Sequence, residues 1–483
     1  MQKLRPEQHD FFSQIATLAF VNPFSEKRDV LDCQLLGISP KTMEISLRGD
    51  QIQQQLQQQL QAFTRFRISD FQGKNHDIMK FSWLFYIFHK FQAQFNQFIE
   101  EQRLLGDTPL ELACAVELSQ SFQSVGFSAL ETEKFIALFY QLHRGFYFIN
   151  SAISGDCQSI IELRVRLWNN IFTFNPRWYM DFLCGKMEDF STLLLGETGT
   201  GKTLIAHTIG CSGFIPFELS KRRFKESFTR SFQFINLSQY PSSLLESELF
   251  GHKKGAFTGA IEHHQGLFDR CSEYGAVFID EIGDIDMPTQ VKLLNVIQER
   301  SFSPVGSHEI LRFSGRVISA TNRDISKLRE QGSFRDDLYY RLCSDVIEVP
   351  SLQQRIQENP DELGRLINSL LKRVTDIPAP KFAALIEKQM RRNIPEYYDW
   401  PGNVRELEQC IRRICLTGHC RLSETSRATK EKNGFSSSEA ETSAQQLLQQ
   451  YCRFLYERHG SYEAVARITC LDRRTVKKHI VEK

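Results

Sequence analysis

The chain has 483 residues, of which 41% are hydrophobic and 24% charged, with a net charge of +1. These are ordinary values for a soluble globular protein of about three domains. They exclude a chain-wide attraction to polyanions or membranes, so any basic site must be local.

Met1–Asp10 has no apolar signal core, and the apolar run Trp83–Phe88 is far shorter than a bilayer span. A cytoplasmic protein with no membrane partner is expected. The twelve cysteines lack framework spacing and are expected to be free thiols. Cys410, Cys415 and Cys420, with His419 beside the last, leave a zinc site open but lack C-x-x-C pairs. Buried or incidental thiols are the favoured reading.

Residues 1–160 are rich in Phe and Gln. Ile52, Leu56, Leu60 and Phe63 share one helical face, and Phe81, Phe85, Phe88, Phe91, Phe95 and Phe98 form a second stripe. A third helix is expected over Phe135–Phe148. Such stripes read as the core of a helix bundle rather than a cofactor box. The Gln tract reads as a solvated helix face.

From about residue 190 to 350, short β-rich runs alternate with helical stretches, which predicts an α/β domain with a parallel sheet. The strand Leu193–Leu195 runs into Gly196, Glu197, Thr198, Gly199, Thr200, Gly201, Lys202 and Thr203, and an apolar helix start follows. Glycines let such a loop curl its N–H groups around phosphates. Lys202 reaches the β- and γ-phosphates, and the Thr203 hydroxyl holds Mg²⁺. The pattern predicts an ATP site.

Ala276–Ile279 is a second buried strand, ending in Asp280 and Glu281. Asp280 suits the Mg²⁺ shell and Glu281 the attacking water. Val317–Asn322 is a third strand. Thr321 and Asn322 either sense the γ-phosphate or cap the strand end.

Residues 350–420 are helical, Ser423–Ser443 read as a polar linker, and the last forty residues form a small helical unit. There, Leu447, Leu448, Tyr451 and Leu455 stripe one helix, Ser461 begins a second through Ile468, and a third starts near Arg473. This is a helix-turn-helix layout. Residues 453–483 hold eight Lys/Arg against four Asp/Glu. Arg473, Arg474, Thr475, Lys477 and Lys478 sit at the start of the third helix, suited to double-stranded DNA.

The segments GETGTGKT, ESELFGHKKGAFTGA, GAVFIDEIGDI, FRDDLYYRL and WPGNVREL follow one another in this order. Over roughly residues 165–420 the chain thereby resembles the AAA+ bacterial enhancer-binding proteins, activators of sigma-54 RNA polymerase. The resemblance implies an α/β AAA+ core over residues 166–349 and a helical lid over 350–422. Gly255, Ala256, Phe257, Thr258, Gly259 and Ala260 would tip a mobile loop whose Phe and Thr contact sigma-54. An exposed Phe257 would then have its burial partner on another protein.

The same resemblance makes Arg335 and Arg341 arginine fingers reaching a neighbouring subunit's γ-phosphate. Arg405 becomes the lid residue that reads nucleotide in cis. Asn236 becomes the residue that restrains Glu281, and Arg300–Ser307 the second surface loop. It implies a homo-oligomer, with a hexameric ring in the family, and a Fis-type DNA-binding end over 444–483.

Two positions depart from the family: Thr203 stands where many members have Glu, and VPSLQQR (349–355) replaces PPLRER, with Arg355 matching the final Arg. Adjacent His263 and His264 point apart and are not read as metal ligands, while His252, Lys253 and Lys254 read as ordinary loop residues. Residues 1–160 resemble no family and are read as a helical regulatory domain for an unknown ligand or protein signal. The alternatives are a AAA+ remodeller with another target, or a DNA-binding repressor switched by nucleotide.

Overall fold

The computed structural model describes residues 3–39, 45–63, 66–375, 380–395, 398–420 and 444–481. The chain divides into two compact units, Met1–Cys420 and Arg421–Lys483.

Among the described residues, eight α-helices open the first unit: α1 (Pro6–Leu18), α2 (Glu26–Leu36), α3 (Ile45–Gln61), α4 (Lys74–Lys90), α5 (Gln92–Leu105), α6 (Ala115–Gln123), α7 (Ala129–Ala152) and α8 (Gln158–Phe172). The expected helical bundle is present. The Phe81–Phe98 stripe lies on two helices, broken at Phe91, so that Phe91 and Phe95 are both fully buried. Helix α7 starts at a capping box: the Ser128 hydroxyl accepts from the Glu131 N–H, and the Glu131 carboxylate accepts from the Ser128 N–H.

A five-stranded parallel sheet follows, with β1 (Thr192–Leu195), β2 (Phe232–Asn236), β3 (Ala276–Asp280), β4 (Arg316–Thr321) and β5 (Asp345–Glu348) in the order β2-β3-β4-β1-β5. All six residues of β4 are buried, as a strand covered on both faces requires. The register sets Leu195 beside Thr321 and Glu348, and Asn236 beside Asp280. These strand termini therefore share the carboxyl end of the sheet, where open α/β sheets bind ligands.

The sheet is accompanied by α9 (Lys202–Gly210), α10 (Ser242–Phe250), α11 (Met287–Glu299) and α12 (Asp336–Leu342). One continuous apolar core joins the N-terminal helices to one face of the sheet, running from Phe12 and Phe95 to Leu194, Phe278 and Ile318. A second core on the other face holds Val277, Ile279 and Val317 together with Leu249 of α10, Leu293 of α11 and Leu338 of α12. The lid has its own core and comprises α13 (Leu352–Glu358), α14 (Glu362–Thr375), α15 (Pro380–Asn393) and α16 (Asn403–Thr417).

Cys410 and Cys420 form a disulfide inside the lid, which corrects the expectation of free thiols for this pair. The cause is local: α16 ends at Gly418 with φ +74°, and the left-handed turn brings the two Cα atoms to 5.4 Å. Among the described residues no cluster of three His, Cys, Asp or Glu is placed to hold a metal. No described helix is long and apolar enough to cross a membrane.

The second unit contains α17 (Ala444–His459), α18 (Tyr462–Thr469) and α19 (Arg473–Val481), packed around Cys452, Leu455, Val465 and Val476. The three expected helices are in place. The expected linker 423–443 lies outside the described residues.

Candidate functional site

The loop after β1 curls through Gly199 at φ +81° and Gly201 at φ +104°, angles open to glycine at little cost. Lys202 opens α9, and its Nζ donates to the carbonyls of Gly196 at 2.7 Å and Glu197 at 3.0 Å. Its ammonium is therefore held over the loop mouth. Burial lowers its pKa, opposed by the nearby carboxylates of Glu281 and Asp280. The Thr200 hydroxyl donates to the Glu197 carbonyl at 2.9 Å and closes the loop on itself.

Lys202 and Thr203 line a cleft of about 620 Å³ together with Asp280, Glu281, Asn236 and Arg405. Its apolar side is built by Ile153, Ile160 and Leu163, and by Leu366 and Leu370 of the lid. Sequence reasoning assigned none of these five. A hydroxyl and a carboxylate at Thr203 and Asp280 are the oxygen donors that Mg²⁺ favours beside nucleotide phosphates, so the donor set fits that ion.

Glu281 follows β3 in left-handed backbone, φ +57°, an outlier for a non-glycine residue that turns its carboxylate out of the strand. Oε2 accepts from the Asn322 N–H at 3.4 Å, and the Asn322 amide donates to the Thr198 hydroxyl at 2.9 Å. Asn322 thus links the carboxylate to the phosphate loop. Burial raises the pKa of both Asp280 and Glu281. Asn236 lies beside Asp280 in register, but its amide oxygen accepts from the Ser238 N–H at 3.0 Å rather than meeting Glu281.

Arg335 and Arg341 flank and sit on α12 and do not line this cleft. Arg335 is bound to Asp337, with Nη2 at 2.6 Å. Arg355 pairs with the fully buried Glu362 and also reaches the carbonyl of Ser154, clamping the lid to the chain segment ahead of α8.

The loop after α10 is fastened at its neck. His252 and His264 exchange backbone hydrogen bonds at 3.0 Å, and Lys253 N–H donates to Val305 in the second surface loop at 3.1 Å. Gly306 abuts Ala256, so the two loops meet. Phe257 is 37% exposed, its ring edge-on to His252 at 4.9 Å, and Ile261 is 76% exposed. The tip is a short hydrogen-bonded turn, with Gly255 N–H donating to the Ala260 carbonyl at 2.8 Å. His252, read from sequence as an ordinary loop residue, is the neck: its Nδ1 lies 2.6 Å from the Ser247 hydroxyl and its carbonyl meets His263.

In the second unit, Asp472 caps α19 by accepting from the Arg474 and Thr475 N–H groups, and the Thr475 hydroxyl donates to it at 2.6 Å. Thr475 is thus engaged in the cap, and Arg473 pairs with Glu463 at 2.8 Å. Arg474, Lys477 and Lys478 are exposed.

The parallel sheet, the phosphate loop and the helical lid make up one α/β core with a helical cap. Within it, residues 184–348 match the family described as the Sigma-54 interaction domain. The chain is 42% identical over 228 residues to the transcriptional regulatory protein GlrR of Escherichia coli strain K12, covering 46% of this chain and 47% of that protein. It is 40% identical over 226 residues to the Nif-specific regulatory protein of Azotobacter vinelandii, covering 47% and 40%. Against the DNA-binding transcriptional regulator NtrC of Rhizobium meliloti it is 38% identical over 226 residues, covering 47% and 43%. The chain thus spans about half or less of the length of these curated relatives. A crystal structure of NtrX from Brucella abortus with ADP is 18% identical with a TM-score of 0.41, covering 73% of this chain and 75% of that one.

Proposed function

We propose that this protein is an ATP-hydrolysing transcription activator that remodels sigma-54 RNA polymerase holoenzyme so that a promoter opens. The observation that carries the reading is the loop Gly255–Ala260, raised on a two-loop neck from the same unit that holds the nucleotide cleft.

Lys202 and the curled loop bind the β- and γ-phosphates of ATP. Mg²⁺, when bound through Thr203 and Asp280, neutralises phosphate charge. Glu281 takes a proton from the attacking water, and Asn322 couples its carboxylate to the phosphate loop. Arg405 reads the phosphates from the lid. Arg335 and Arg341 act on the nucleotide of a neighbouring copy in a homo-oligomeric, hexameric ring; their absence from this chain's own cleft supports action in trans. Asn236, beside Asp280, restrains Glu281 until the target is engaged, which requires its amide to leave Ser238.

Phe257 and Thr258 contact sigma-54. Residues 444–483 hold upstream double-stranded DNA through Arg473, Arg474, Lys477 and Lys478, with Thr475 fixing the helix start. Residues 1–160 receive the signal, a ligand or a protein, and the protein works in the cytoplasm. The test is promoter opening in vitro by purified protein with ATP. Opening that requires sigma-54 holoenzyme supports the reading, and ATP hydrolysis without opening, with residues 1–160 present or removed, overturns it.

A further inference from the structure

Asn403 opens α16, two residues ahead of Arg405. It has no solvent exposure and a backbone φ of +51°. Left-handed backbone is uncommon for a residue with a side chain, though Asn adopts it more readily than most, and here the surroundings fix it. The surroundings here are three hydrogen bonds. Nδ2 donates to Glu197 Oε2 at 2.9 Å and to the Thr198 carbonyl at 3.1 Å, and Oδ1 accepts from the Leu352 N–H at 2.7 Å. One carboxamide therefore ties together the phosphate loop, the first residue of α13 and the helix that carries Arg405.

The contact beside it is equally close. A Cβ on Gly199 would stand 2.2 Å from the Gly402 carbonyl and 3.0 Å from Arg405 Cβ. The phosphate loop and the start of α16 thus meet with no side chain between them.

We propose that Asn403 is a positioning residue that locks the phosphate loop to the lid and so sets where Arg405 stands relative to the phosphates. The proposal rests on the nucleotide reading above. The donor pattern explains the residue type. Glu197 Oε2 and the Thr198 carbonyl are both acceptors, so an NH₂ group serves both, whereas the isosteric Asp would set carboxylate against carboxylate. Lys202, Thr203, Asp280 and Glu281 all belong to the sheet layer. Releasing the lock therefore acts on nucleotide retention more than on the chemical step.

The test uses the full chain, with release of a fluorescent ADP analogue and steady-state ATP hydrolysis as readouts. Asn403→Gly accepts the left-handed backbone without strain and removes only the amide. The expected result is a folded protein whose KM for ATP rises about tenfold, with kcat within about threefold and faster ADP release. Asn403→Asp is expected to be worse, and adding Glu197→Gln should recover part of its loss, because the new amide donates to the introduced carboxylate. Wild-type KM and ADP release in Asn403→Gly, an Asn403→Gly chain that does not fold, or no recovery in the double variant would each overturn the proposal. Wild-type protein that binds no ADP would instead remove the nucleotide reading beneath it.

Discussion

The proposed chemistry of the cleft rests on one side chain, Glu281. Its strained backbone, its link to Asn322 and its burial all prepare a carboxylate at the phosphate end of the sheet. We expect Glu281→Gln to lower ATP hydrolysis by about 10²–10⁴-fold while nucleotide binding persists, measured by turnover against analogue binding. The pH dependence has a definite sign. A base acts ionised, and burial raises this carboxyl, so activity is full above the raised value and falls as pH drops through it. The acid limb of kcat/KM should lie above about 4.3, the ordinary Glu value. An acid limb below that value would contradict the burial argument.

The phosphate loop and the Asp280–Glu281 pair were legible in the sequence because short spacings fix their local geometry. Asn403 was not, although it lies inside the quoted WPGNVREL. Its role depends on a left-handed entry into α16 and on contacts between residues 206 positions apart, which spacing does not encode. Asn236 shows the converse: its place beside Asp280 follows from the strand, but its amide orientation is set by the Ser238 turn.

At the scale of elements, α7 is where the N-terminal helices grip the α/β core. Arg144 is fully buried and donates to the carbonyls of Cys211 at 2.7 Å and Gly213 at 2.6 Å, just past the end of α9. Gln141 adds a bond to Ser212 at 2.9 Å and is itself held by Tyr179. A cation at a helix C-terminus is favoured by the dipole, and the guanidinium stacks on Tyr140 at 4.3 Å. Arg144→Ala strands these carbonyls and opens a cavity. The expected loss is about 3 kcal/mol in denaturant unfolding, with Arg144→Lys intermediate.

One residue away, His143 is sandwiched between Phe88 at 4.0 Å and Phe95 at 4.8 Å, and its Nε2 has no hydrogen-bond partner. Burial lowers its pKa to about 3 and that of His89 to about 4. Both are neutral in the fold and charge readily when unfolded. Their stabilisation is full above about pH 6.5, the free-imidazole value, and is lost as pH falls toward the folded values. Unfolding midpoints should therefore drop between about pH 6.5 and 4, and less steeply in His143→Phe. Equal pH slopes in the two proteins would sink this assignment. The helical stripes around these residues were readable from their period. The break at Phe91 was not, because two helices with aligned apolar faces give the same Phe spacing as one.

At the scale of the molecule, one core runs from the N-terminal helices into the sheet, and the lining of the cleft begins at Ala152 and Ile153, at the end of α7. A change of composition near residue 160 suggests a boundary, but composition does not report which apolar faces meet. The disulfide in the lid was hidden for a similar reason, since the turn at Gly418 rather than any spacing rule brings Cys410 to Cys420. The proposed action of Arg335 and Arg341 in trans would make turnover a property of the assembly. Specific ATPase activity should rise with protein concentration and fall at least about tenfold in Arg341→Ala, with ADP binding by the isolated chain unchanged.

The measurement that bears most directly on the central claim is promoter opening by sigma-54 holoenzyme with wild type and with Thr258→Ala, alongside ATP turnover for both. The loop tip is exposed and lies outside the cleft, so hydrolysis should survive the substitution while opening is lost. Opening by Thr258→Ala at the wild-type rate would contradict the account, because the coupling of hydrolysis to sigma-54 would then run through some other surface.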